Sequence, residues 1–178
     1  MRIIGGDLRG TQISPPSNYK ARPITDFAKE GLFNILANQY DFSKISVLDL
    51  FSGTGSISFE FASRGSTSTA VEMNPLHASF IKNTIAKFGL KEVQVVRHNV
   101  FDFLGICNQK YDIVFADPPY DIAGFGGIPE KILSCPIFKD GGILVFEHPA
   151  TFNFESNPLF TKEKKYGNVH FSFFSKKQ

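Results

Sequence analysis

Tryptophan is absent from this 178-residue chain, which leaves stacking against a planar ligand to its 20 phenylalanines and five tyrosines. Cysteine is scarce: Cys107 and Cys135 stand alone, outside any metal-ligand spacing, and two cysteines make no disulfide scaffold. No apolar run is long enough to cross a bilayer, and the opening MRIIGGDLRG lacks the apolar stretch of a signal peptide, so the expected location is the cytoplasm, away from membranes. His77, His98, His148 and His170 have no spacing that gathers them on a metal; no metal is expected, and most are read as surface or supporting residues. Strong charge imbalance is missing too, the net charge being +2.

The placement of charge says more than its sum. Residues 1–31 carry Arg2, Arg9, Lys20, Arg22 and Lys29 against Asp7, Asp26 and Glu30, and residues 160–178 carry five lysines against Glu163 alone. If the two ends meet in space, they offer phosphates a basic surface; otherwise they are solvated termini.

The length suits a single domain, 1–178, with one core. Residues 1–23 read as extended segments and turns punctuated by glycine and proline, after which Thr25 or Asp26 can cap a helix with apolar positions Phe27, Leu32, Phe33, Ile35 and Leu36. Strand patterns follow at 45–50, 68–72, 93–97, 111–116 and 143–147, with helical stretches at 56–64 and 75–88. Strand, helix, strand in repetition predicts an α/β fold with a mainly parallel sheet and helices on both faces. The tail, 159–165, a turn at Gly167-Asn168 and 169–174, predicts a hairpin closing one edge in antiparallel sense.

VLDLFSGTGSISFEFASRG, residues 47–65, reads as strand, glycine turn and helix. Glycines there let backbone approach a ligand, for a dinucleotide as well as for other cofactors. The dinucleotide pattern G-x-G-x-x-G fails, because Ser58 stands where the third glycine belongs, and the Gly-Lys-Ser/Thr of a phosphate loop is missing. Asp49 just before the turn would repel a pyrophosphate but can face the cationic amino group of an amino-acid ligand. Glu72, ending the next strand, is placed to accept the hydroxyls of a ribose. Asn99, after the third strand, can reach an adenine edge.

DIVFADPPYD, residues 112–121, ends a strand in two prolines, which stiffen the loop before anything binds. The side chain of Asp117 and the carbonyl of Pro118 can accept hydrogen bonds from an exocyclic amine, and Tyr120 offers a ring to a base. An aromatic amine is a poor nucleophile because its lone pair is delocalised into the ring. Acceptors on its N–H groups favour the positive charge that develops as nitrogen attacks an electrophilic methyl, and Asp117 can take the proton afterwards. The base must stand outside a helix for this chemistry. Arg22, before a proline and a helix start, is well placed over a cleft, where its fork can hold a phosphate or a carboxylate.

In order and spacing, MRIIGGDLRG, ARPITDFAKEGLFNIL, VLDLFSGTGSISFEFASRG, VEMN, DIVFADPPY, GGILVFEH and KEKKYGNVHFSFF resemble bacterial methyltransferases that use S-adenosylmethionine to methylate the N2 amine of a guanine in 16S ribosomal RNA. The resemblance implies a Rossmann-like methyltransferase fold, a seven-stranded, mostly parallel sheet with an antiparallel C-terminal edge hairpin, and an extension at 1–23 lining the RNA and cofactor cleft. It implies that S-adenosylmethionine is bound by Asp49, Gly53, Gly55, Glu72, Met73, Asn99, Val100, Arg22 and Thr25, and leaves as S-adenosylhomocysteine. Asp117, Pro118, Pro119 and Tyr120 would be the catalytic loop. Arg2, Arg9 and Lys20 would contact 16S rRNA, free or within the small ribosomal subunit or its assembly intermediate, the enzyme acting as a monomer. Relatives commonly carry Asp where this chain has Asn99.

Two rival readings stay open. A DNA or RNA methyltransferase acting on adenine N6 or cytosine N4 shares the DPPY loop and glycine turn, but usually needs additional protein to select a site in duplex DNA, and 121–136 leaves little. A catalytically silent RNA-binding or assembly module on the same fold predicts erosion of the acceptors or the glycine turn, and both are intact.

Overall fold

The computed structural model describes residues 1–15 and 24–176. Helix α1 (Asp26–Ala37) starts at Thr25, whose hydroxyl accepts the Ala28 N–H at 3.2 Å. There follow β1 (Ser46–Leu50), α2 (Ser56–Ser63), β2 (Thr67–Val71), α3 (Pro75–Phe88), β3 (Val93–Val96), α4 (Val100–Ile106) and β4 (Tyr111–Ala116), then α5 (Ile128–Leu133), β5 (Phe138–His148), β6 (Phe160–Tyr166) and β7 (Val169–Ser175). The seven strands lie in the order β3-β2-β1-β4-β5-β7-β6. From β3 to β5 all pairs are parallel, while β7 runs antiparallel to both β5 and β6, so the predicted hairpin is present with its second strand inside. The order reverses between β1 and β4, where an open α/β sheet leaves a crevice beyond its strand ends.

Side-chain alternation along the strands divides the core. Val47, Ile113, Phe115, Val145, Phe171 and Phe173 pack against Leu32, Phe33 and Leu36 of α1 and Phe61 of α2. Leu48, Leu50, Val114, Ala116, Leu144, Phe146 and Phe174 pack on the other face against α4 and α5. Of the apolar positions expected in this helix, Phe27 is 68% exposed and rests edge-on against Tyr166 of β6, while the adjacent Ala28 and Lys29 are buried. That contact joins the start of α1 to the lysine-bearing β6.

Residues 1–15 clasp α2. Ile3, Ile13 and Ala62 are buried together, and the N–H groups of Asp7 and Leu8 bond the Ser63 carbonyl at 2.7 Å and its hydroxyl at 2.9 Å. Gly6 makes this close approach possible: it has φ +76°, and an added Cβ would collide with the Ser63 carbonyl. Gly6→Ala is therefore expected to lower stability by about 2 kcal/mol, measured by denaturant unfolding, since neither backbone can yield cheaply.

The histidines depart from expectation. Antiparallel pairing sets His148 opposite His170, with Glu163 on the adjoining strand, and both rings are buried rather than superficial. His170 Nδ1 lies 2.9 Å from Glu163 Oε1, and His148 bridges the Pro149 carbonyl at 3.0 Å and Ser172 Oγ at 2.8 Å. Burial lowers the proton affinity of His148. Among the described residues, no helix is long and apolar enough to cross a membrane.

Candidate active site

Beyond the C-terminal ends of β2, β1, β4 and β5 opens a cavity of about 830 Å³, in the range of small-molecule sites. Asp49, Gly53, Glu72, Met73, Asn99, Val100, Asp117, Pro118, Pro119 and Tyr120 all line it. The structure thus gathers into one space most of the residues singled out from four separate stretches of sequence. Arg22 and Lys20 lie outside the described residues.

The turn after β1 carries its own backbone cost. Phe51 adopts φ 59°, a conformation that bulky side chains avoid, and its ring sits 6.0 Å from that of Phe101. Gly53 and Gly55 follow with φ 55° and 78°. A Cβ at Gly55 would press on Phe59 and Ile81 at 3.0 and 3.1 Å, so the turn is glycine both for its conformation and for its packing.

Asp49 is buried at the start of this turn and accepts Ser58 N–H at 3.1 Å and Ser58 Oγ–H at 2.7 Å. The serine that breaks the dinucleotide pattern is therefore the partner that holds this carboxylate. Burial pushes the Asp49 carboxyl up to about 7, against those hydrogen bonds, and the charge of Glu72 adds to the rise. Glu72 accepts the N–H of Gly53 at 2.8 Å and of Asn74 at 2.7 Å, which fixes it at the cavity wall.

Asn99 has a second duty that the sequence did not reveal. It caps α4, its Oδ1 accepting from Phe101 N–H at 2.9 Å, which leaves the amide nitrogen, 3.8 Å from Met73 sulfur, toward the cavity. Asp in its place would cap equally but offer no such donor. Thr25 is spent on capping α1, and its neighbour Ile24 lines the cavity instead. Arg2 is held by Asp26 at 2.9 Å, and Arg9 is exposed. Residues 1–15 contribute nothing to the lining.

On the other side of the cavity, Pro118 is buried while Tyr120 is 46% exposed, its hydroxyl 3.2 Å from Glu147 Oε1 and its ring edge-on to Phe125. Phe125 belongs to an aromatic group with Phe146, Phe152 and Phe154 that supports this loop from beneath. Burial raises the proton affinity of Asp117 well above the usual carboxylate range, and the charges of Glu147 and Asp49 raise it further. Glu147 also lines the cavity, and its signal in the sequence is a lone acid ending an apolar strand.

The ionisable groups lining the cavity, among the described residues, are acids and His77, with no lysine or arginine. That acidic lining suits a nucleoside bearing cationic groups and disfavours phosphates, and in this it fits S-adenosylmethionine.

Comparison with known proteins agrees with this chemistry. The family model described as Conserved hypothetical protein 95 matches residues 1–175. The ribosomal RNA small subunit methyltransferase D of Escherichia coli K12 is 34% identical over 148 residues, covering 83% of this chain and 71% of that protein. The protein of that name from Buchnera aphidicola subsp. Baizongia pistaciae is 29% identical, covering 98% and 91%. Among solved structures, a putative methyltransferase, yhhF, from Escherichia coli superposes with a TM-score of 0.87 at 25% identity, covering 100% of this chain and 98% of that one. A hypothetical protein from Thermus thermophilus gives 0.88 at 27% identity, covering 98% of each. With its sheet order, its acid-lined crevice and these similarities along its length, the chain belongs to the ribosomal RNA small subunit methyltransferase D family.

Proposed function

We propose that this protein transfers a methyl group from S-adenosylmethionine to the exocyclic N2 amine of a guanine in 16S rRNA, in the cytoplasm, on the small ribosomal subunit or a precursor of it. The observation that carries the reading is that Asp49 in β1 and Asp117, just beyond the end of the neighbouring parallel β4 and two residues past Phe115, the partner of Asp49, line one cavity. One carboxylate suits the cofactor's ammonium, and the other suits the amine to be methylated. The N2 position and the rRNA target come from the family.

S-adenosylmethionine supplies an electrophilic methyl on a sulfonium. The Asp117 carboxylate and the Pro118 carbonyl accept the two N–H groups of the target amine and stabilise positive charge as it forms on nitrogen. Proline at 118 and 119 fixes the backbone, so this acceptor pair needs no reorganisation. With its raised proton affinity, Asp117 is a suitable acceptor for the proton that the methylated amine then loses. Tyr120, oriented by Glu147, presents its ring to the base.

The test offers labelled S-adenosylmethionine with unmodified 16S rRNA, free and in 30S particles, and identifies the product nucleoside by mass spectrometry. N2-methylguanine is expected; methyladenine or N4-methylcytosine would keep the fold and overturn the target. No product despite bound cofactor would favour the silent module.

Asp49 adds a pH signature to binding. Its carboxyl, pushed up to about 7 in the free protein, is largely protonated below that pH, whereas a neighbouring ammonium favours the carboxylate. Affinity is therefore expected to increase as pH rises toward 7, by up to about tenfold per unit, with a proton released on binding. Calorimetry in buffers of different ionisation enthalpy reads that proton, and Asp49→Asn should abolish it.

A further inference from the structure

Four acids stand in a row along the crevice, each at the end of a neighbouring strand: Glu72 after β2, Asp49 in β1, Asp117 after β4 and Glu147 in β5. Glu72 and Asp49 suit the cofactor and Asp117 the amine in the proposed reaction, whereas Glu147 is there given only the orientation of Tyr120. Register places it beside Asp117: Phe115 pairs with Val145 and Ala116 with Phe146, so residues 117 and 147 continue that ladder on the face that carries Asp49. Glu147 is only 4% exposed, yet it lines the same cavity as Asp117 and Tyr120. A second acid pressed against the catalytic one adds to the burial that disfavours the ionisation of Asp117, so on stability alone it is a liability.

The edge of guanine gives it a use. Beside its exocyclic amine, guanine carries a ring N–H at N1, whereas adenine beside N6 and cytosine beside N4 present a bare ring nitrogen with a lone pair. A site that must hold guanine by this edge needs acceptors for the amine and one further acceptor alongside. Asp117 and Pro118 supply the first; an acid on the next strand, about 4.8 Å away across the sheet, supplies the second. The same acid would face the lone pair of adenine or cytosine and repel it.

Building on the proposed N2 chemistry, we infer that Glu147 is a specificity-determining residue, a carboxylate that accepts the N1–H of the target guanine while Asp117 holds the N2 amine. The N–H donated to Glu147 also offsets the repulsion between the two acids, which no lone-pair-bearing edge can do. Guanine is thereby selected over other exocyclic amines within the cavity itself, whatever selects the nucleotide in the folded RNA.

The decisive substrate is 2-aminopurine in place of the mapped target guanine, in 16S rRNA assembled by ligation and reconstituted into 30S particles. It keeps the 2-amino group and has a bare N1. Wild type is expected to favour guanine in kcat/KM by at least about 100-fold, because a site built to accept an N–H leaves its buried acceptor unpaired with an analogue that lacks it. In Glu147→Gln the amide can accept from N1–H or donate to a bare N1, so activity on guanine falls and the preference narrows to within about threefold. Tyr120→Phe removes the hydroxyl contact and should keep the wild-type preference, which separates direct recognition from an effect relayed through the tyrosine. Equal use of both bases by wild type would overturn the inference. So would a Glu147→Gln enzyme slowed on both by one factor, with cofactor affinity unchanged, since that marks a supporting role. Failure of wild type on guanine itself would instead overturn the N2 reading on which the inference rests.

Discussion

Asp117→Ala is expected to lower kcat for methyl transfer by at least about 100- to 1,000-fold while leaving cofactor affinity nearly intact, the scale of removing one preorganised charge-stabilising group. Asp117 is one strand away from Asp49 and makes its contribution only when nitrogen begins to carry charge. The loss should therefore fall on kcat more than on KM, because the interaction strengthens toward the transition state. Asp117→Asn separates the roles: the amide oxygen still accepts a hydrogen bond, but the negative charge and the proton acceptor are gone. The wild-type pH profile carries the same signature. Because burial and the neighbouring acids raise its proton affinity, the carboxylate form appears only above the usual range, and activity should climb with pH through that raised value. In Asp117→Asn this limb should vanish. Single-turnover assays across pH, alongside equilibrium cofactor binding, read both effects.

Glu60→Leu is expected to cost about 3–5 kcal/mol of stability, the scale of breaking a buried ion pair by removing one partner. Glu60 lies fully buried in α2 and bonds three donors: Lys29 Nζ at 3.1 Å, the backbone N–H of Ile4 at 2.8 Å, and Arg64. Lys29, itself 1% exposed, also donates to the Arg2 carbonyl. One carboxylate thus ties α1, α2 and the first residues of the chain together, and its removal leaves a buried ammonium with the Arg2 carbonyl and the more distant Asp26, at 3.8 Å. The double variant Glu60→Leu with Lys29→Met should recover part of the loss, since replacing both ions by apolar groups of similar volume is often tolerated. Thermal and denaturant unfolding of the two singles and the double would measure the coupling. A Glu60→Leu protein as stable as wild type would show that the pair contributes nothing net.

How much of this could be read in advance follows from the range of each signal. The parallel strands announce themselves as short apolar runs, and α3 has near-ideal punctuation, Asn74 as cap and Gly89 at its end with φ 66°. Asp49, Glu72 and Asp117 were legible because a strand end in a parallel sheet has only one edge to occupy. Phe27 fits the apolar spacing of α1 yet stands largely exposed, because the spacing does not say which residue of the first turn faces the sheet. The insertion of β7 between β5 and β6 is a choice of partner, invisible to local pattern, and the meeting of His148, Glu163 and His170 depends on it. The duty of Glu60 was hidden for the same reason: an acid within SISFEFAS hints at a buried charge, but its partners are distant in sequence.

The row of acids also makes the sheet a measuring rule. Strand spacing sets its graduations at about 4.8 Å, so Glu72 to Glu147 spans three intervals, or about 14 Å at the backbone. On the roles proposed above, a ligand satisfying the whole row presents ribose hydroxyls, an ammonium, an amine and a ring N–H in that order across the strands. An inhibitor that joins adenosine to guanine through a short cationic linker would meet every mark at once, whereas either half alone would leave buried carboxylates to water. The spacing of such a linker is therefore dictated by hydrogen bonding between strands, which no substitution in the loops can change.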